Sequence, residues 1–256
     1  MNWDRNIIIK SPAELDLMRE AGRVNALALA AVREAIRPGI TTQELDHIAE
    51  EVIRKHGGSP VFKGYPGPYP YPATLTVSLN DELVHGIPSK RKLQNGDIVS
   101  IDCGTLLDGF VGDSAFTAGV GEISEVAQKL LEVTERSLYI GIDQMRAGKR
   151  IGDVSAAIQE YVEDNDFHVT REYTGHGVGR QMHEGPQVPN YGRRGRGMVL
   201  RSGLTIALEP MVLIGTARTK VLPDQWTVCS ADGSLTAHFE HTVAVTDGDP
   251  RILTLP

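Results

Sequence analysis

The chain has 256 residues, of which 41 % are hydrophobic and 23 % charged. That balance excludes a disordered or collagen-like polypeptide and leaves room for a core of ordinary depth without disulfide staples. The net charge of −7 argues against a duplex-DNA binder, whose affinity comes largely from neutralising phosphates.

The two cysteines, Cys103 and Cys229, make no disulfide framework, so a reducing compartment is expected. The longest early apolar run, Ala26 to Val32, falls far short of the roughly 20 residues that span a bilayer. The start shows no basic stretch followed by an apolar core, so no signal peptide is read. The expected setting is cytoplasmic, without a membrane partner.

The first predicted element is a helix. Ser11-Pro12-Ala13-Glu14 supplies an N-cap, a proline at the first helical position and a capping-box glutamate. Apolar residues then recur at helical spacing through Leu17, Ala21, Val24, Leu27 and Ala31, until Pro38-Gly39 stops the run. A second helix opens at Thr41, with Glu44 as its box partner, and ends before Gly57-Gly58. The Gly-, Pro- and Tyr-rich stretch from Pro60 to Pro72 cannot be regular helix. It reads either as a plain surface loop or as a rigid rim over a pocket. Later in the chain, Ser124 caps a helix running through Leu130, Val133 and Leu138 towards Met145, and Ala147-Gly148 stops it. A shorter helix is predicted from about Asp153 to Tyr161. The basic run Arg193, Arg194 and Arg196 reads as a solvated loop, with a local basic face as the alternative.

Two echoes point to an internal duplication. Arg37-Pro-Gly-Ile-Thr-Thr-Gln-Glu-Leu resembles Arg146-Ala-Gly-Lys-Arg-Ile-Gly-Asp-Val, 109 residues later. Asn95-Gly-Asp-Ile-Val-Ser-Ile-Asp102 resembles Ser202-Gly-Leu-Thr-Ile-Ala-Leu-Glu209, 107 residues later. The period is too long for a solenoid repeat. The expectation is an α+β fold: one catalytic domain over 1–256, of two similar halves, about 11–120 and 121–250. Strands meet centrally in an antiparallel sheet, with a helix pair from each half outside.

The chemistry begins in a hairpin. Asp108-Gly109 is a favoured two-residue turn, so Leu107 pairs with Phe110, Asp102 faces Ala115 and Asp113 faces Gly104. Asp102 and Asp113 then become diagonal neighbours on one face, roughly 7–8 Å apart at the backbone. If that face is buried, either one acid takes up a proton or a cation sits between them. If it is wet, the two acids are ordinary surface charges. The second half adds Gly175-His176-Gly177, where glycines let the backbone approach closely and leave the imidazole accessible, with His183 following. It also adds Glu209 and Glu240, each at the end of an apolar strand where a charge needs a partner. Four carboxylates and a histidine favour two hard or borderline divalent ions, Mn, Fe, Co or Zn rather than Cu, and such a pair can activate water. The cysteines lack zinc-finger spacing.

These residues closely resemble type I methionine aminopeptidases over nearly the whole chain. The resemblance rests on Val84-His85-Gly86-Ile87-Pro88, Ile101-Asp102, Gly112-Asp113-Ser114, Gly175-His176-Gly177, His183-Glu184-Gly185-Pro186, Glu209-Pro210-Met211 and Glu240-His241-Thr242. It implies the duplicated "pita-bread" fold and removal of the N-terminal methionine from nascent chains whose second residue is small. It also implies five metal ligands: Asp102 on one ion, Asp113 and Glu240 on both, and His176 and Glu209 on the other. Glu209 is the implied base. His85 and His183 match the histidines that hydrogen-bond substrate near the scissile amide, and Tyr71, Met182 and Trp226 match the methionine pocket. Two positions depart from the usual pattern. Thr76 stands where many members have cysteine, and Met182 where phenylalanine is frequent. Further expectations are a monomer working near the ribosome. Two alternatives remain, an Xaa-Pro peptidase of the same fold and a non-catalytic binding protein of that fold on ribosomes or RNA, although such proteins typically lose ligands and all five positions are filled here.

Overall fold

The computed structural model describes residues 7–256. Its helices are α1 (Pro12–Ala35), α2 (Thr42–Lys55), α3 (Glu125–Asp143) and α4 (Ile151–Glu163). The first two carry the expected capping boxes. In α1, Ser11 and Glu14 exchange side-chain and backbone hydrogen bonds, and Thr41 and Glu44 do the same at α2. Ser124 caps α3 by accepting from the Ala127 amide. The fourth helix starts two residues earlier than its sequence signals. The Asp153 carboxylate accepts the Arg150 amide at 2.8 Å, which places the helix start at Ile151. An arginine side chain cannot accept the return bond, so only half of a capping box forms there.

The strands form a nine-stranded antiparallel sheet and two three-stranded sheets among the described residues. The main sheet runs Ser59–Pro60, Ile98–Leu107, Phe110–Gly119, Glu240–Ala244, Thr205–Leu208, Thr174–Gly177 and Glu184–Pro189. Leu75–Leu79 also pairs with the Ile98 strand, and Arg251–Ile252 with the Glu240 strand. The hairpin register is the one the turn dictates: Leu107 faces Phe110, Asp102 faces Ala115 and Gly104 faces Asp113. Both turn residues adopt positive φ, 49° at Asp108 and 80° at Gly109, as a two-residue hairpin requires.

The duplication is visible in backbone hydrogen bonds. The Gly39 amide donates to Leu93 O at 2.8 Å, and the Gly148 amide to Leu200 O at 3.0 Å. Leu93 N donates to Ile40 O just as Leu200 N donates to Lys149 O, and Val120 N to Asp97 O just as Val245 N to Leu204 O. Gly39/Gly148 and Ile40/Lys149 keep the 109-residue spacing of the first echo, and Leu93/Leu200 and Asp97/Leu204 the 107-residue spacing of the second; Val120 and Val245 lie 125 residues apart. The halves join where the Phe110–Gly119 and Glu240–Ala244 strands pair, Ala115 facing Glu240 and Ser114 facing His241. The Thr242 hydroxyl ties that seam, accepting the Asp113 amide at 3.0 Å and donating to the Asp113 carbonyl at 2.8 Å.

Strand alternation sorts the two faces of the sheet. Ile101, Cys103, Ile206, Leu208, Val243 and Val245 join the main core cluster with residues from all four helices. Asp102, between Ile101 and Cys103, turns to the opposite face, as do Ala207 and Glu209. Helix α1 lies close against the sheet because neither partner has a side chain at the contact. A Cβ on Gly112 would stand 2.5 Å from Gly22 Cα. The pairing of α1 with the strand that carries Asp113 therefore depends on two glycines.

Candidate metal centre and substrate cavity

On the face away from the helices lies a cavity of about 140 Å³. Four acidic residues and one histidine reach it from strands of both halves: Asp102 and Asp113 from the hairpin, His176 from Thr174–Gly177, Glu209 just after Thr205–Leu208, and Glu240 at the start of Glu240–Ala244. Glycines let the His176 strand fit between its neighbours. A Cβ on Gly175 would meet Ala207 O at 2.7 Å and one on Gly177 would meet Gly185 O at 2.0 Å. The sequence reading had the glycines leave this imidazole accessible. In the structure the residue is only 5 % exposed to solvent overall, and what it presents lines this cavity and an adjoining one.

Burial pushes all four carboxyls well above the ordinary carboxylate range. Repulsion adds to it, from Asp113 onto Asp102 and Glu240 and from Glu209 onto Asp113. Asp102 Oδ1, Asp113 Oδ1 and Glu240 Oε1 are buried without a hydrogen-bond partner, a costly state for a carboxylate oxygen. The histidine points the same way. His176 Nδ1 lies 2.9 Å from the Gly177 carbonyl. A carbonyl only accepts, so Nδ1 holds the proton and Nε2 keeps its lone pair. Burial lowers this imidazole to about 3, so the ring is neutral. Its Nε2 lone pair then faces Asp113 Oδ2 at 3.7 Å and Glu209 Oε1 at 3.6 Å. Lone pair against carboxylate is repulsive unless a proton or a metal cation lies between them. Donor atoms of Asp113, His176 and Glu240 lie within 4.8 Å of one another. Oxygen-rich donors with one imidazole nitrogen and no thiolate suit hard or borderline divalent ions.

The other part of the cavity is apolar. Phe62, Tyr71 and Met182 belong to one buried cluster, with Tyr65 and Trp226 packed on it. The Tyr71 and Trp226 rings meet edge to face, centroids 5.1 Å apart. Thr76, His85 and His183 complete the lining. His85 adopts φ 61°, an uncommon conformation for a non-glycine residue that recurs at functional sites. The next residue explains the tight path: a Cβ on Gly86 would sit 2.2 Å from Val77 O. His183 is fixed by a short hydrogen bond between its Nδ1 and the Tyr65 hydroxyl, and its ring packs on His176 with centroids 4.3 Å apart. Burial lowers both His85 and His183 to about 4.

Residues 16–247 match the model of metallopeptidase family M24. The chain belongs to this family. Its M24 relatives include the methionine aminopeptidase of Clostridium perfringens, 52 % identical over 249 residues that cover 97 % of this chain and 99 % of that one. Methionine aminopeptidase 1 of Bacillus subtilis is 52 % identical over 248 residues, covering 97 % and 99 %. Among solved structures, methionine aminopeptidase from Thermotoga maritima superposes with a TM-score of 0.95 at 47 % identity, covering 98 % of this chain and all of that one, 100 %. Prolidase from Pyrococcus furiosus, with a TM-score of 0.77 at 21 % identity over 97 % of this chain and 66 % of its own, shares the fold alone.

Every site residue named from the sequence lies in the wall of this one M24 cavity: Tyr71, Thr76, His85, Asp102, Asp113, His176, Met182, His183, Glu209, Trp226 and Glu240. The sequence reading omitted Phe62 and Tyr65, which line it too. Both come from the Gly-, Pro- and Tyr-rich stretch, which therefore forms part of the pocket wall. It also omitted His238, which lines an adjoining cavity with Asp102, His176 and Glu209. Its only sequence signal was its place two residues before Glu240.

Proposed function

We propose that this M24 chain is a methionyl aminopeptidase that removes the N-terminal methionine from polypeptides whose second residue is small. The observation that carries this reading is the division of one cavity: orphaned carboxylate oxygens and a neutral imidazole lone pair at one part, an aromatic and thioether pocket at the other. The relatives named methionine aminopeptidase, matched along nearly their full length, support it.

Asp102, Asp113, His176, Glu209 and Glu240 would hold two divalent ions drawn from Mn, Fe, Co or Zn, with Asp113 and Glu240 serving both. Such ions supply Lewis-acid polarisation of a carbonyl and a water acidified towards neutral pH. The protein does the rest. Phe62, Tyr65, Tyr71, Met182 and Trp226 take the methionine side chain, whose flexible thioether suits an aromatic-lined slot, and Thr76 borders it. Glu209 takes the proton of the attacking water and delivers it to the leaving amine. His183 donates to the developing oxyanion. The Tyr65 hydroxyl, donating to Nδ1, leaves Nε2 as the proton-bearing nitrogen of that neutral ring. His85 hydrogen-bonds the scissile amide. The Pro66–Pro72 segment limits the size of the second residue.

The chain works on this reading as one catalytic domain over 1–256, since residues of both halves line the cavity. It acts as a cytoplasmic monomer on nascent chains near the ribosome. In support, no helix among the described residues is long and apolar enough to cross a membrane, and the net charge of −7 disfavours DNA as a partner.

Metal-stripped protein titrated in turn with Mn, Fe, Co and Zn tests this against Met-Ala-Ser and Ala-Pro-Ala. Metal-dependent release of methionine from the first, with the second untouched, is expected. Hydrolysis of Ala-Pro-Ala alone would make it an Xaa-Pro peptidase. Metal uptake without hydrolysis of either would make it a binding protein.

A further inference from the structure

His238 is the residue of this region that the proposed mechanism leaves without a task. It ends the strand Thr236–His238, beside Met211, at the point where the chain passes from a small sheet into the main one. Its main chain is held from the other half of the molecule. The Thr117 hydroxyl accepts the His238 amide at 2.9 Å and donates to the His238 carbonyl at 2.8 Å. Because that hydroxyl proton is committed, Ser100 must donate to Thr117 across their 2.8 Å contact. A histidine backbone fixed this firmly sets where its ring can point.

The ring points at two carboxylates. The residue is 2 % exposed and Nε2 has no hydrogen-bond partner. That nitrogen lies 3.5 Å from Glu209 Oε2 and 3.9 Å from Glu240 Oε2. The oxygens are the informative part. Glu209 turns its other oxygen, Oε1, to His176, and Glu240 leaves its other oxygen, Oε1, buried and unpartnered. Each glutamate thus offers one oxygen to the proposed ligand set and the other to His238. No lysine or arginine lines either adjoining cavity among the described residues. A lone pair at Nε2 would face two acceptors, whereas an N–H there satisfies both.

We infer that His238 is a positioning residue of the metal centre: its Nε2–H donates to Glu209 Oε2, with Glu240 Oε2 as second acceptor, and so orients the two glutamates of the second half towards the ions. A closure of about 0.5 Å brings the nearer contact into the normal hydrogen-bond range. Outer hydrogen bonds to carboxylate ligands fix their orientation, and removing one typically costs roughly 10–100-fold in metal affinity or activity. This inference rests on the metal reading of the site.

Calorimetric titration of metal-stripped protein with Mn or Co separates the two. His238→Met removes the donor, and His238→Gln keeps an N–H of similar reach. The expected result is unchanged stoichiometry, with affinity roughly 10–100-fold weaker in His238→Met and largely restored in His238→Gln. Equal affinity in all three proteins would overturn the inference and leave the metal reading intact. Wild-type protein that takes up no metal would overturn the metal reading, and the inference with it. A second measurement needs no variant. In wild-type protein labelled at the histidine nitrogens and loaded with Zn, the His238 Nε2 proton should persist while His176 Nε2 carries none. Loss of the His238 proton on loading would make it a direct ligand and overturn the positioning role.

Discussion

Lys10 Nζ lies 2.5 Å from Glu184 Oε2, with the two side chains only 2 % and 1 % exposed. Glu184 also accepts the Arg180 and Gln181 amides on Oε1, at 2.8 and 3.2 Å. The pair fastens the segment before α1 to the loop that presents Met182 and His183. Breaking a buried pair from one side strands the other charge. Lys10→Met should therefore destabilise the protein by about 3 kcal/mol. Adding Glu184→Gln, which keeps an acceptor for the two amides and removes the charge, should recover a large part of that loss. Urea unfolding of the wild type and both variants reads the difference. Additive losses in the double variant would mean that the two side chains do not act as a pair.

Glu209 should show a conflict between activity and stability. It is one of four buried carboxyls that repel each other, and in the proposed mechanism it moves a proton. Glu209→Gln should lower kcat on Met-Ala-Ser by at least roughly 10²-fold. The same change removes one charge from the cluster, so the metal-free variant should melt at a higher temperature than metal-free wild type. Turnover near normal with metal present would rule out the base role.

The pH dependence of metal-free protein follows from the raised carboxyls of Asp102, Asp113, Glu209 and Glu240. Their folded-state values lie above the unfolded ones. Their contribution to stability is therefore complete below the unfolded carboxylate range and is lost as pH rises through the folded values. In the proposed function divalent ions would take the place of those protons, and their binding would release them. The gap in Tm between metal-loaded and metal-free protein should widen as pH is raised from about 4 to about 8. Calorimetry in buffers of different ionisation enthalpy should register the released protons. A gap that stays constant over that range would mean that protons and metal do not compete for these groups.

The parts of the site that were legible in the sequence are those where local rules fix geometry. A two-residue turn at Asp108-Gly109 determines the register of the whole hairpin, and alternation then puts Asp102 opposite Ala115 and Asp113 opposite Gly104. The capping boxes of Ser11 and Thr41 mark helix starts for a similar reason, since both bonds form within four residues. What stayed hidden depends on the path of the chain in space. Tyr65 reaches His183 from a loop with no periodicity. His238 approaches Glu209 only because the chain changes sheets beside Phe239. The start of α4 was misplaced because Arg150 occupies the cap without being a capping residue type.

Tyr65 offers the most direct test of how the pocket wall and the chemistry are joined. Its hydroxyl is hydrogen-bonded to His183 Nδ1, and its ring meets the imidazole edge to face, centroids 5.3 Å apart. Tyr65→Phe keeps the ring contact and the apolar wall and deletes only the hydroxyl. Methionine binding should change little, so KM for Met-Ala-Ser should stay within a factor of about two. In the proposed mechanism this hydroxyl donates to Nδ1 and keeps the His183 proton on Nε2, and the variant removes that constraint. A hydrogen bond of this kind contributes about 1 kcal/mol, so kcat should fall roughly 5-fold. Tyr65→Ala removes the wall as well and should raise KM in addition. If Tyr65→Phe instead raised KM and spared kcat, the tyrosine would serve only as wall and would not set the orientation of His183.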